Sequence, residues 1–370
     1  MTKKKVLFIL HIPPPINGAA MVGQYIKESS TINKAFDADY INLATSFHLD
    51  QIGKGGFKKL AATFKILKMV FNATRQKDYD LCYLTLTAKG VGFYKDFLVV
   101  LLLKLMRKKI IYHFHNKGVA ENRKNRLNDL LYKITFNNTQ SILLSPLLFN
   151  DIAHYVASKD VYFCANGVED IDGSLIGLNP VEEWPCKLLF LSNMMAEKGV
   201  WVLLEACAML KKKGLNFECH FIGAWSDVTK LNFESEITKL GLSDVVFAHG
   251  KKYGADKVSF FKEAGIFVFP TYYHNECFPL VLLEAMQYGK PVVSTAEGGI
   301  ADIINDGVTG VLVPRRDAQS LAGKLEVLIT NWSMRIEMGS QGRKRYEQLF
   351  TLNKFEQNLK EILNEAITSS

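Results

Sequence analysis

The chain has 370 residues and a mass of 41.7 kDa; 48% of its residues are apolar, 22% are charged, and its formal net charge is +8. A single hydrophobic core stops growing at about 250–300 residues, so two domains are expected, and this composition excludes a disordered or fibrous chain. No uninterrupted run of about 18 apolar residues occurs, which argues against a transmembrane helix. Six cysteines (Cys82, Cys164, Cys186, Cys207, Cys219 and Cys277) form no pairwise motif, as expected of a reduced, cytoplasmic chain without structural zinc.

In chain order, the start up to His11 is too short for a signal peptide and reads as a first strand. Short β-branched apolar runs follow at 39–43, 81–86, 110–115, 141–145 and 161–164, after the first at 6–11. Helical stretches at 60–74, 94–107 and 125–136 separate them. Strand–helix–strand repetition at this spacing predicts a parallel sheet covered by helices on both faces. Residues 166–186, with Gly167, Gly173, Gly177, Pro180 and Pro185, break the rhythm and read as an interdomain linker. Alternation resumes with strands at 188–191, 217–222, 245–248, 266–269, 291–294 and 310–313, and the tail from 317 is almost wholly helical. The expected architecture is α/β, with two Rossmann-like parallel-sheet domains at 1–165 and 187–345 facing across a cleft. A C-terminal helix at 346–370 is placed to pack back on the N-terminal domain. Ligands would bind at the carboxyl ends of the strands.

Charge is uneven. Residues 1–165 hold 24 Lys and Arg against 11 Asp and Glu, whereas the remainder holds 21 against 26. A basic first half suits a solvated surface or attraction to an anionic membrane face or acidic acceptor. Residues 54–71 place Lys and apolar side chains at helical spacing, so one face is suited to a bilayer interface. No aromatic–basic reader motif occurs, and nucleic acid is not an expected partner.

The most informative segment is 269–295. A strand ends near Pro270, a polar loop carries Glu276, and Pro279 suits the first turn of a helix that Gly289 and Pro291 close. Amides at such a helix start hold hydroxyl or phosphate oxygens. Glu276 would stand outside that terminus and Glu284 about one and a half turns inside. Two such Glu residues also suit a dipole partner and an ordinary helix surface, so spacing alone leaves both readings open.

The whole segment resembles the signature of the group 1 (family 4) retaining glycosyltransferases, enzymes of the two-domain GT-B architecture. That signature is a Glu, seven residues and a second Glu within a Phe-Pro-Leu, Leu-Glu-Ala-Met and Pro-Val-Val string. Here it runs through Phe278-Pro279-Leu280, Glu284 and Val292, and on through Gly298-Gly299 and Asp306-Gly307. The resemblance implies that Glu276 stands beside the anomeric carbon of a donor sugar. By the same resemblance, Cys277, Phe278, Pro279 and Leu280 contact sugar hydroxyls and phosphate, and Glu284 accepts from the nucleotide ribose. Lys198 would neutralise the donor diphosphate. Asn193 stands where the family usually has Arg, which removes a fork suited to phosphate.

In the first half, Asn17 and Gly18 follow the first strand where the family usually has a Gly-Gly pair, so backbone approach to a diphosphate is expected there, with Asn17 tolerating unusual angles. His113 and His115 end a strand and project to one side. His115 is the one expected near sugar and acceptor, and His113 is expected to be a hydrogen-bonded core residue. The pairs Asp37/Asp39, Asp78/Asp80 and Asp170/Asp172 read as turns or solvated carboxylates, the first two preceding their strands, and no catalytic metal or cofactor is expected.

The resemblance implies a hexosyl-type transfer with retention, from a nucleotide-diphosphate sugar to a glycan or polyprenyl-diphosphate-linked acceptor, as in bacterial-type surface polysaccharide synthesis. The expected location is cytoplasmic, with peripheral contact to the inner membrane face. The rivals are a nucleotide-sugar epimerase or phosphorylase on the same scaffold, and a non-catalytic nucleotide-sugar-binding partner. A nicotinamide oxidoreductase lacks its Gly-x-Gly-x-x-Gly after the first strand.

Overall fold

A computed structural model of the chain describes residues 3–369 except 15, 45–56, 172–183 and 253. The central part of the expected linker and residues 54–56 of the basic amphipathic stretch lie outside the described residues. The chain forms two units, one of residues 1–166 with 352–370 and the other of residues 167–351, so it passes between them twice.

The first unit is built on six parallel strands in the order β2-β1-β3-β4-β5-β6. They are β1 (Lys4–Leu10), β2 (Phe36–Asn42), β3 (Leu81–Thr85), β4 (Ile110–His113), β5 (Gln140–Leu143) and β6 (Val161–Phe163). Val6 to Leu10 and Leu81 to Leu84 are fully buried, as strands covered on both faces must be. Between them run α1 (Gly18–Glu28), α2 (Ser30–Ala35), α3 (Phe57–Gln76), α4 (Gly90–Leu105), α5 (Val119–Asn122) and α6 (Arg126–Phe136). Their starts are written locally: the side chains of Asn17, Ser29 and Asn125 accept amides of the first turns of α1, α2 and α6.

The second unit repeats the plan with β7 (Cys186–Leu191), β8 (Phe217–Ile222), β9 (Val246–Ala248), β10 (Ile266–Phe269), β11 (Val292–Thr295) and β12 (Gly310–Val313). Their order is β12-β11-β10-β7-β8-β9, again all parallel. Its helices are α7 (Val200–Lys212), α8 (Lys230–Lys239), α9 (Gly254–Glu263), α10 (Leu280–Gln287), α11 (Ile300–Ile303), α12 (Ala318–Thr330) and α13 (Trp332–Leu349). The last helix, α14 (Leu352–Thr368), belongs to the first unit. There Asn358 donates to the Phe163 carbonyl at 3.4 Å, and the amide of Gln140 donates to the Ser369 hydroxyl at 2.8 Å.

Strand order positions the sites. In the first sheet the strand order reverses between β1 and β3, and in the second between β7 and β10. At such a switch point the loops leaving the two strands diverge and open a crevice at their carboxyl ends. All six cysteines are buried free thiols. Among the described residues no helix is long and apolar enough to cross a membrane.

Candidate functional site

In the second unit the β7 loop carries Asn193 and Lys198, and the β10 loop carries Glu276, so the switch point brings distant residues together. Lys198 Nζ lies 2.5 Å from Glu276 Oε2, with side chains only 14% and 10% exposed. The ammonium also sits 4.5 Å from the centre of the Tyr273 ring, a favourable place for a cation. Two glycines hold this pair. Gly199 adopts φ +90°, and a Cβ there would stand 2.2 Å from the Pro270 carbonyl oxygen. Gly298 adopts φ +57°, and a Cβ there would stand 2.2 Å from the Glu276 carbonyl oxygen. Backbone thus packs on backbone at both carriers, and only glycine fits.

Cys277, Phe278 and Pro279 are buried behind Glu276 and lead into α10. Pro279 is the residue before the helix, not its first turn, because its extended ψ of 121° turns the chain into Leu280. No side chain among the described residues caps α10; the Leu282 amide donates to the Pro279 carbonyl at 3.2 Å, so the amides of Leu280 and Val281 stand ahead of the first bond within the helix. At the other end Tyr288 closes the helix and Gly289, at φ +63°, follows.

Glu284 is reached by a residue that sequence reasoning missed. Lys257, from the first turns of α9, places Nζ 2.7 Å from Glu284 Oε1. Glu284 Oε2 is buried and has no hydrogen-bond partner among the described residues. Nothing local in the sequence links 257 to 284; only the packing of α9 and α10 on one sheet does. Asn193 is exposed beyond β7.

In the first unit the expected residues divide differently. Asn17 has extended backbone (φ −152°, ψ 169°) and caps α1, its Oδ1 accepting the Ala20 amide at 3.1 Å. The unusual angles expected of it are therefore not used. Gly18 has no positive φ, and no protein atom lies within 4 Å of its Cβ position, so neither backbone strain nor protein packing requires glycine there. His113 and His115 do lie together, with ring centres 4.3 Å apart. His113 is fully buried and its Nδ1 is 2.5 Å from the Tyr83 hydroxyl.

A third histidine, His11 at the end of β1, joins these two and was not singled out by sequence. Burial first, then the ammonium of Lys95, lowers its pKa to about 4. Burial, then His11, lowers His115 to about 3, and burial with His115 lowers His113 well below the ordinary range. All three imidazoles are neutral at pH 7. Beside them the fully buried Asp96 accepts the Thr87 amide at 2.9 Å and pairs with Lys95 at 3.2 Å. The signal was available: β1 and β3 flank the switch point, so residues just past them face a crevice.

Asp37 and Asp39 lie inside β2 instead of preceding it, since the strand begins at Phe36. Both pair with Lys77, at 2.7 and 2.6 Å. Asp78 and Asp80 do precede β3, and Asp172 lies outside the described residues. Among the described residues no group of three or more His, Cys, Asp or Glu is arranged to hold a metal ion.

The architecture and site can be set beside known proteins. Residues 179–345 match the family described as glycosyl transferases group 1. The capsular polysaccharide biosynthesis glycosyltransferase CapM of Staphylococcus aureus is 29% identical over 199 residues, which are 52% of this chain and 51% of that protein. The chain thus spans about half the length of the curated relative it matches. A glycosyltransferase from Rickettsia africae superposes with a TM-score of 0.75 at 18% identity, covering 100% of both chains. Anabaena Alr3699/HepE, crystallised with UDP and glucose, gives 0.72 at 18% identity over 98% of this chain and 99% of its own. The two six-stranded parallel sheets of this chain have the GT-B architecture, and residues 179–345, the region that carries Lys198, Glu276 and Glu284, are similar to the glycosyl transferases group 1.

Proposed function

We propose that the chain transfers a hexose-type sugar, with retention, from a nucleotide-diphosphate donor to a glycan or polyprenyl-diphosphate-linked acceptor in surface polysaccharide synthesis. The observation that carries this reading is the Lys198–Glu276 pair at the β7/β10 switch point, beside the uncapped start of α10. As the nucleotide diphosphate leaves the anomeric carbon, negative charge grows on phosphate and positive charge on the sugar. Lys198 and the first α10 amides meet the former, and the Glu276 carboxylate, shared between Lys198 and the sugar, stands against the latter. Such groups are fixed before the reaction and need no reorganisation. Each signature carboxylate is already held by a lysine, which disfavours a two-carboxylate glycosidase scheme. Same-face attack, in which the departing phosphate takes the acceptor proton, then accounts for retention.

The first unit is the acceptor side in this reading. Its surface supports peripheral contact with an anionic membrane. Helix α3 buries Thr63 and Thr74 with Ile66 and Val70, yet leaves Leu60 59% and Phe64 65% exposed among Lys65, Lys68 and Arg75. Apolar side chains in water beside cations are what an interfacial helix presents. The relative from Staphylococcus aureus is named for capsular polysaccharide biosynthesis, which agrees with such an acceptor.

One observation favours a second reading, a non-catalytic nucleotide-sugar-binding partner: the exposed, uncharged Asn193 stands where the family usually has Arg. A thermal-shift panel of nucleotide sugars identifies the donor, since a preferred ligand raises apparent stability by mass action. NMR of the product formed with that donor then reads the anomeric configuration. Transfer with retention, lost by a factor of about 100 or more in Glu276→Gln and Lys198→Ala, is the expected result. Full activity in both variants, or inversion, overturns the reading.

A further inference from the structure

We infer that the outer face of α4 and α6 is the part of the first unit that enters the acyl-chain boundary of an anionic bilayer, with α3 supplying cations at its rim. The inference rests on the reading of peripheral membrane contact and names the surface that goes in. Val91, Tyr94, Leu98, Leu101 and Leu105 recur along α4 at the three-and-four spacing of one helix face. All five are exposed, Leu105 to 74%, while Phe93, Val99, Val100 and Leu103 form the opposite, buried face. The row runs about 21 Å along the helix. Leu127 and Leu130, both more than half exposed, extend it across α6. The two helices are joined by the Tyr94 hydroxyl, which donates to Asn128 Oδ1 at 2.8 Å, and by the rings of Phe93 and Tyr132, with centres 4.5 Å apart. Scattered exposed apolar side chains are ordinary, but a continuous row on two packed helices marks a contact surface.

Charge decides what covers it. The charged groups of α4 are turned away from the row: Lys95 pairs with the fully buried Asp96 and donates to the Leu43 carbonyl at 2.8 Å, and Lys104 donates to the Asn137 carbonyl. The row can therefore enter an apolar phase without stripping water from an ion. Around it, α3, α4 and α6 hold nine Lys and Arg against two Asp, and both Asp pair with lysines, Asp96 with Lys95 and Asp129 with Lys133. Lys65, Lys68 and Arg75 are exposed on α3, whose Thr74 donates to Met106 Sδ at the end of α4, at 2.9 Å. Arg126 is exposed on α6. A second copy of this face would bring like charges together, whereas anionic headgroups neutralise them. An apolar centre between basic edges is what a helix surface lying in a bilayer interface presents. Asp96 also accepts the Thr87 amide just past β3, so a docked α4 would hold the β1/β3 crevice near the level of a lipid-borne acceptor.

The test is sedimentation of the full chain with vesicles of equal parts phosphatidylglycerol and phosphatidylcholine, and with phosphatidylcholine alone. Wild-type chain is expected to bind the anionic vesicles more tightly, and Leu98→Ser/Leu105→Ser to weaken that binding about tenfold or more. Lys65→Gln/Lys68→Gln should flatten the salt dependence instead. Leu98→Trp supplies a second readout that does not depend on the serine variant: the four native Trp residues, 184, 201, 225 and 332, all lie in the second unit, so the added indole reports α4. Its emission should shift to the blue on binding and be quenched by brominated acyl chains. Wild-type chain that binds neither vesicle at low salt refutes the reading of membrane contact itself. Binding that persists unchanged in Leu98→Ser/Leu105→Ser, with the Leu98→Trp indole unquenched, leaves that reading standing and overturns the role of α4. A lipid-free dimer that Leu98→Ser/Leu105→Ser dissociates assigns the face to a second copy of the chain and overturns the inference as well.

Discussion

Lys198→Met removes a charge and keeps the length of the side chain, so it isolates the ion pair at the centre of the site. Glu276 would be left 8% exposed as a residue and without its cation, 2.5 Å away in the native chain. Breaking a buried pair from one side costs about 3–5 kcal/mol, because an uncompensated charge remains. The lower end applies here, since a site open enough to admit a ligand admits water, and about 3 kcal/mol is the expected loss at pH 7. Contact with the Tyr273 ring at 4.5 Å adds about 0.5–1 kcal/mol to that loss. Glu276→Gln leaves a lysine that reaches solvent more easily and should cost about 1 kcal/mol. The double variant Lys198→Met/Glu276→Gln removes both charges and should cost far less than the two single losses added, giving a coupling of about 2–3 kcal/mol. Urea unfolding of the full chain, followed by the transition of the second unit, reads all three values. Additive losses, or a Lys198→Met cost below about 0.5 kcal/mol, would refute the argument that the pair is structurally coupled. Activity should not follow stability: the double variant regains much of the fold but no transfer.

Gly298→Ala places a methyl group against the Glu276 carbonyl, 2.2 Å from the ideal Cβ position, whereas Gly214→Ala meets nothing within 4 Å although its φ of +74° is also left-handed. Gly214→Ala should therefore lose only the conformational cost of about 1 kcal/mol, and Gly298→Ala at least about twice that together with transferase activity, as thermal unfolding and a transfer assay would show. His11 and His115 are held neutral, with pKa values lowered from 6.5 to about 4 and about 3. Their contribution is thus complete above pH 6.5 and is lost as pH falls toward those values, each steepening the loss by up to about 1.4 kcal/mol per pH unit. Denaturation at pH 7, 6, 5 and 4.5 should show His11→Phe flattening that slope; an unchanged slope would remove His11 from the account. For the proposed interfacial face of α3, Leu60→Ser with Phe64→Ser should release the chain from anionic vesicles in low-salt sedimentation. Wild-type chain that never sediments would contradict the interfacial reading of α3.

Strand and helix placement was legible because parallel strands covered on both faces must be continuous apolar runs. Strands at 217–222, 266–269 and 310–313 match the observed bounds, and most others shift by a residue or two. The exception at β2 is instructive: Asp37 and Asp39 made 36–38 look like a turn, yet Lys77 pairs with both carboxylates and lets the strand begin at Phe36. Likewise Asn17 suggested special backbone angles, and its side chain instead performs the commoner task of capping a helix.

By itself the sequence determined the two alternating α/β units, the spacing of Glu276 and Glu284 around a helix start, and the Lys198 loop, because these follow from residue order within a few turns. Tertiary structure alone decided which charges meet. Lys198 and Glu276 are 78 positions apart, and Lys257 and Glu284 are 27 apart. They become neighbours because a strand order that reverses between β7 and β10 gathers separate loops at one end of a sheet, and periodicity along a chain does not encode that pairing.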